Sequence, residues 1–402
     1  MTSPDVRRLL WARGLRAFGD GYVSLLLPLY LLALGLTPFQ IGVIATGTLL
    51  GSGILTLLVG LHAYRFRYRT LLLMATALMM ATGLGFAVVS DFWPLLIIAV
   101  VGTLNPSSGD VSVFLPLEQA VLSHVVADRQ RTAVFARYSL VGALVGAVGA
   151  LFAGFPQFVV GAIGVSAKSA WQAMFLLYGL LGLSSGLIYA RLPVTLAAGT
   201  AATAAPLRQS KRIVYTLAAL FSLDAFGGGF IVQSLLALWL FQKFQFSIAT
   251  AGTIFFWTGV LSAFSYLVAV RIANRIGLVN TMVFTHLPAN VLLLAIPFVA
   301  DPAWVIVLLL VRAALSQMDV PTRSSYVMAV VSPGERAAAA SITSVPRSLA
   351  SAMSPLFAGY LLGVSSFGWP LVIAGGLKIV YDLLLLATFR KVRPPEEAVI
   401  RR

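Results

Sequence analysis

Cysteine is absent from the 402 residues, and charge is scarce: Asp, Glu, Lys and Arg make up 10% of the chain, against about 25% in an ordinary soluble domain. The first absence excludes disulfide frameworks, thiolate metal sites and cysteine nucleophiles. The second excludes a soluble globular domain, because 59% of the residues are hydrophobic and mean hydropathy is +0.94. Acids are rarer than bases, 13 against 28, and the only histidines are His62, His124 and His286. Dispersed histidines without cysteine make a poor ligand set for a transition metal. The chain also has no Walker sequence, G-x-S-x-G elbow or H-E-x-x-H helix, so neither an enzyme nor a cofactor is expected.

What the chain does have is apolar length. Twelve segments of about 20 residues, enough to cross a bilayer, lie near 14–36, 40–63, 70–90, 94–123, 132–155, 169–191, 213–241, 248–270, 279–300, 303–331, 337–363 and 367–390. They predict an all-α membrane protein. The net charge of +15 would suit nucleic acid, but its placement argues for a lipid bilayer. Lysines and arginines gather in alternate loops and both tails, and only Lys168 and Lys243 fall on the opposite side. That bias puts both termini in the cytoplasm and the chain in the inner cell membrane. The start, MTSPDVRRLLWARGL, runs straight into the first span, so it reads as a cytoplasmic lead-in and not a cleavable leader.

The halves repeat one another. Arg16-Ala-Phe-Gly-Asp-Gly-Tyr22 lines up with Asp224-Ala-Phe-Gly-Gly-Gly-Phe230, Asp91 with Asp301, and Phe152-Ala-Gly154 with Phe357-Ala-Gly359, at an offset that drifts between 205 and 210. A persistent offset over half a chain marks an internal repeat. The expected division is a six-helix bundle at 1–191, a polar cytoplasmic linker at 192–212, and a second six-helix bundle at 213–402. Six spans return the chain to the same side, so the two bundles are parallel and pseudo-symmetric about the membrane normal.

One segment in each half is broken. Gly102 to Ser123 carries Asn105, Pro106, Gly109, Asp110, Pro116 and Glu118, and the stretch around residue 320 carries Arg312, Asp319, Pro321 and Arg323. Proline inside a membrane helix frees backbone groups that lipid cannot satisfy, so such breaks belong beside protein or water. Aligned on Pro116 and Pro321, Glu118 faces Arg323 across the repeat, which suggests a salt bridge between the halves that gates access.

Twelve spans, two parallel halves, internal termini and a basic loop after the second span resemble the major facilitator superfamily over residues 10 to 392. The family's loop signature is partly matched by Gly60-Leu-His-Ala-Tyr64-Arg65-Phe-Arg67-Tyr-Arg69, where Tyr64 replaces the acid, and by Asn274-Arg275-Ile276-Gly277. In that family the acid helps latch the cytoplasmic side, so the latch here must differ; Arg65, Arg69 and Arg275 are expected to serve in gating or in the structure. A fifth-span glycine series, Gly142, Gly146, Gly149 and Gly154, is similar to that of antiporters and favours export. The fourth-span arginine of drug antiporters has no counterpart here.

Ionisable groups inside spans are costly, about 2.5–3.5 kcal/mol each on insertion scales, and must pair or face water. Asp20, Asn105, Asp110, Glu118, Asp224, Arg312, Asp319, Arg323 and Arg347 are the candidates for substrate binding or coupling. Arg312, Asp319 and Arg323, spaced seven and four, would share one helix face. Arg137 reads as a structural clamp, and Lys378 with Asp382 as a pair satisfied within the last span. The functional expectation is a monomeric secondary active transporter that moves a small-molecule substrate by alternating access, coupled to protons and directed outward. A proton-linked importer of a small organic anion is the nearest rival. A non-transporting membrane sensor or partner subunit is the rival from another class.

Overall fold

The structure, a computed structural model, describes residues 4–62, 66–107, 112–126, 128–193, 209–332, 335–390 and 392. It is all-helical, as apolar segments in a bilayer must be if each is to satisfy its own backbone. In chain order the first half provides α1 (Pro4–Ala33), α2 (Pro38–His62), α3 (Tyr68–Val88), α4 (Phe92–Val101), α5 (Phe114–Val125), α6 (Asp128–Phe152), α7 (Phe155–Ile163) and α8 (Ala167–Tyr189). The second provides α9 (Lys211–Gly229), α10 (Gln233–Phe244), α11 (Ile248–Ile276), α12 (Leu278–Ala295), α13 (Pro302–Ser316), α14 (Asp319–Val330), α15 (Arg336–Val364) and α16 (Trp369–Phe389).

Among the described residues ten stretches are long and apolar enough to cross a membrane. The other two expected spans depart from that pattern for visible reasons. One is divided into α4 and α5, neither of spanning length. The other, α15, is 29 residues long, but its run of serines with Arg347 and two prolines lowers its apolarity. Most of the linker lies outside the described residues. At its end the carboxylate of Glu335 accepts hydrogen bonds from the amides of Gln209 (2.9 Å) and Ser210 (3.1 Å), so an acid caps the start of α9.

The helices form two compact units, Met1–Thr200 with Val232–Gly259, and Ala201–Ile231 with Val260–Arg402. In the first, α1 packs on α6, α8 and α10, and α3 packs on α8. Its close approaches run through glycine: a Cβ on Gly21 would collide with the carbonyl of Gly146, and one on Gly149 with the carbonyl of Phe18. The fifth-span glycine series therefore brings the α1 and α6 backbones together, as small residues do where lipid supplies no hydrophobic drive. In the second unit, α9 packs on α15 and α16, and α16 on α12. A core of Val214, Leu217, Phe221, Met282, Tyr326, Tyr381 and Leu385 joins α9, α12, α14 and α16.

The breaks are matched. Pro116 is the third residue of the 12-residue α5, and Pro321 the third of the 12-residue α14. At that point a helix still has unbonded amides, so proline costs it no internal hydrogen bond. The span holding α9 and α10 is broken too, after Gly227 to Gly229, and within the first unit the amide of Ser234, at the start of α10, donates to the carbonyl of Pro106 at 3.1 Å.

Candidate functional site

Among the described residues each unit buries a network of charge. In the first, Glu118 on α5 is fully buried and ion-paired with Arg16 on α1. Its carboxylate also accepts from the hydroxyls of Tyr138 on α6 (2.5 Å) and Tyr189 on α8 (2.7 Å). Arg16 donates through Nε to Tyr189 at 3.3 Å and lies 4.2 Å over the ring of Phe114. Four helices thus meet on one carboxylate. Both of its oxygens are engaged, which is the condition under which a buried pair is tolerated.

The network of the second unit is larger. Asp224 on α9 receives Lys378 of α16 at 2.6 Å and Arg323 of α14 at 2.9 Å, and Nε2 of His286 on α12 is 3.8 Å away. Arg323 also pairs with Asp319, one turn earlier on α14. Beyond the histidine, Nδ1 lies 2.9 Å from Asp382, whose other oxygen accepts from Asn290 at 2.8 Å. Asp224, Asp319, Arg323, Lys378 and Asp382 are all buried. Unlike Glu118, Asp224 has competing cations, and Arg323 has competing carboxylates. Nε and Nη1 of Arg323 are buried without a hydrogen-bond partner among the described residues.

Three expectations are corrected. Glu118 and Arg323 were to bridge the halves; each is bound inside its own unit, because the fifth residue of α5 and of α14 points at the first helix of the same repeat. Lys378 and Asp382 do not satisfy one another: α16 packs on both α9 and α12, so Lys378 reaches Asp224 while Asp382 turns to His286 and Asn290. Arg312 does not share a helix face with Asp319 and Arg323, since Gln317 and Met318 separate α13 from α14.

The remaining candidates are distributed. Asp20 is half-buried and accepts from the Tyr178 hydroxyl at 3.5 Å. Asn105 is buried, and its side-chain oxygen accepts from the amide and hydroxyl of Ser107 at 3.1 and 2.8 Å, so it closes the turn at the break. Arg312 is half-buried with Nε unpartnered among the described residues. Arg347 is exposed, as are Arg137 and Arg275, and Arg69 is half-buried in the first turn of α3; none of the four forms an ion pair among the described residues. Asp110 and Arg65 lie outside the described residues. Sequence reasoning missed Arg16, Tyr138, Tyr189 and Asn290 as network members. For Arg16 a signal existed, its alignment with Asp224 in the repeat.

Comparison with known proteins agrees with the architecture. The family model described as Major Facilitator Superfamily matches residues 9–315 and 217–402. An uncharacterized membrane protein of Saccharomyces cerevisiae, YJR124C, is 25% identical over 96% of this chain and 94% of its own length. Among solved structures, a nucleoside transporter, NupG, superposes with a TM-score of 0.78 at 14% identity, covering 96% of this chain and all of that one. A D-xylose-proton symporter superposes at 0.69 with 15% identity, covering 97% and 98%. At such identities the likeness is one of fold.

Proposed function

The chain belongs to the major facilitator superfamily, and from that premise we propose that this secondary transporter is driven by protons through the charge network of its second unit. Membership makes the protein a membrane transporter of a small solute and not an enzyme. The observation that carries the coupling is Asp224, a buried carboxylate contested by Arg323, Lys378 and His286 from three other helices. Adding a proton to Asp224 or Asp319 removes one charge from a set that is balanced by pairing. Arg323 then shifts toward the carboxylate that remains ionised, and α9 and α14 exchange one set of contacts for another. A site of this kind has two discrete arrangements that a proton can bias. Glu118, held by Arg16 and two tyrosines, has no such competitor among the described residues and serves as a structural tie.

The fold-level likeness to a proton symporter is compatible with this reading. The glycine series of α6, packed against α1, supports export, and the basic loops support cytoplasmic termini in the inner cell membrane. The transporter works as a monomer. Import of a small organic anion is the second reading, favoured by the exposure of Arg347. Proteoliposomes with an imposed pH gradient test the proposal: solute movement should acidify or alkalinise the lumen, and Asp224→Asn should abolish uphill movement while exchange persists. Gradient-driven transport in D224N equal to that of the wild type would overturn it.

A further inference from the structure

Arg347 is the twelfth residue of the 29-residue α15, so its guanidinium sits well inside the span, and it is exposed there. It forms no hydrogen bond and no ion pair among the described residues. The same helix presents two different exposed faces. Val345, Leu349, Met353 and Phe357, at intervals of four, are apolar and suit lipid. Ser341, Ser344 and Ser348, at intervals of three and four, form a hydroxyl-bearing face, and Arg347 lies between that face and the side of α15 that packs on α9. A cation with hydroxyl neighbours at this depth must face water, because lipid would penalise it by several kcal/mol.

Among the described residues no acid pairs with it. Asp224 and Asp319, the acids of the unit's buried network, are already bound to Lys378 and Arg323. Arg323 is committed to both acids, and two of its nitrogens have no hydrogen-bond partner among the described residues. A guanidinium without a counter-ion among the described residues, with hydroxyls beside it on the same helix, is a receptor for a planar or tetrahedral oxyanion.

We propose that Arg347, flanked by Ser344 and Ser348, binds an anionic group of the transported solute, a carboxylate, sulfonate or phosphate. The inference rests on the transporter reading for the word transported, but not on proton coupling or direction. The anion pairs with the guanidinium, and the serine hydroxyls donate to it.

The absence of cysteine allows a direct test in detergent, with no gradient. Ser344→Cys and Ser348→Cys proteins are treated with two methanethiosulfonates of similar size, one bearing a sulfonate and one a trimethylammonium group. The rate ratio is normalised to a small free thiol. One nearby positive charge should favour the sulfonate reagent by about tenfold. Arg347→Gln should bring the ratio close to one, and Arg347→Lys should preserve most of it. Benzoate or phenyl phosphate should slow labelling of S348C, and benzyl alcohol should not.

Equal ratios with and without R347Q, or no labelling at either cysteine, would overturn the proposal. So would protection by benzyl alcohol as strong as that by benzoate. If R347Q does not yield monodisperse protein, the ratio in the parent cysteine variants is followed from about 0.01 to 1 M salt, where a charge effect must collapse as the Debye length shrinks from about 30 to 3 Å. A salt-independent ratio would count against the site. Because no transport is measured, failure of proton coupling leaves this result readable.

Discussion

Glu118 and Arg323 occupy the same place in the two repeats, each the fifth residue of a 12-residue half-helix and two residues after its proline, and they carry opposite charge. Their partners are reversed to match: Glu118 binds Arg16 of α1, and Arg323 binds Asp224 of α9, where Arg16 and Asp224 are themselves repeat-equivalent. One bridge has therefore been kept twice, between the first helix and the second half of the broken helix, with its polarity inverted.

The pairing should appear in a stability cycle. Arg16→Ala and Glu118→Ala each strand a buried charge, at a cost of about 3–5 kcal/mol, whereas the double variant removes both. Thermal unfolding in detergent should therefore show the double variant less destabilised than the sum of the singles. Strict additivity would mean that the two side chains do not depend on each other. A charge exchange between positions 118 and 323 should rescue neither unit, since neither residue then faces its complement.

A second cycle concerns Lys378. Lys378→Ala and Asp224→Ala should be more strongly non-additive in stability than Lys378→Ala and Asp382→Ala, which are linked only through Asp224 and His286. The reverse pattern would restore a pair internal to α16.

Asp319→Asn should leave Arg323 to Asp224 alone and hold the site in one arrangement. Uphill accumulation in proteoliposomes should fall at least tenfold and lose its dependence on external pH, with counterflow partly retained. A variant with unchanged accumulation and pH profile removes Asp319 from coupling.

The glycine contacts make a steric prediction. Gly21→Ala places a methyl against the Gly146 carbonyl, and Gly149→Ala one against that of Phe18, so each should cost about 1–3 kcal/mol as the α1 and α6 backbones are forced apart. Gly53→Ala, with nothing within 4 Å of its new methyl, is the control and should be neutral or slightly stabilising. Melting temperatures of the three proteins decide the matter.

The sequence alone determined the membrane class, the repeat and the positions of the broken helices, because each rests on local chemistry. Apolar length sets a span, an offset exposes a duplication, and proline with charge marks where a helix must stop being lipid-facing. It also marked Glu118, Asp224, Asp319, Arg323, Lys378 and Asp382 as charges within spans, and all six are buried. What only the tertiary structure decided was who meets whom. Arg16 and Glu118 are 102 residues apart, and Lys378 had an acid four residues away on its own helix but reached Asp224 instead, 154 residues distant. Helical periodicity gives the face on which a charge lies, but the packing of α16 on α9 and α12 chooses the neighbour. Within a low-dielectric interior that choice is enforced steeply, because a carboxylate one helix turn out of register loses a hydrogen-bonded counter-ion and keeps the cost of its own burial.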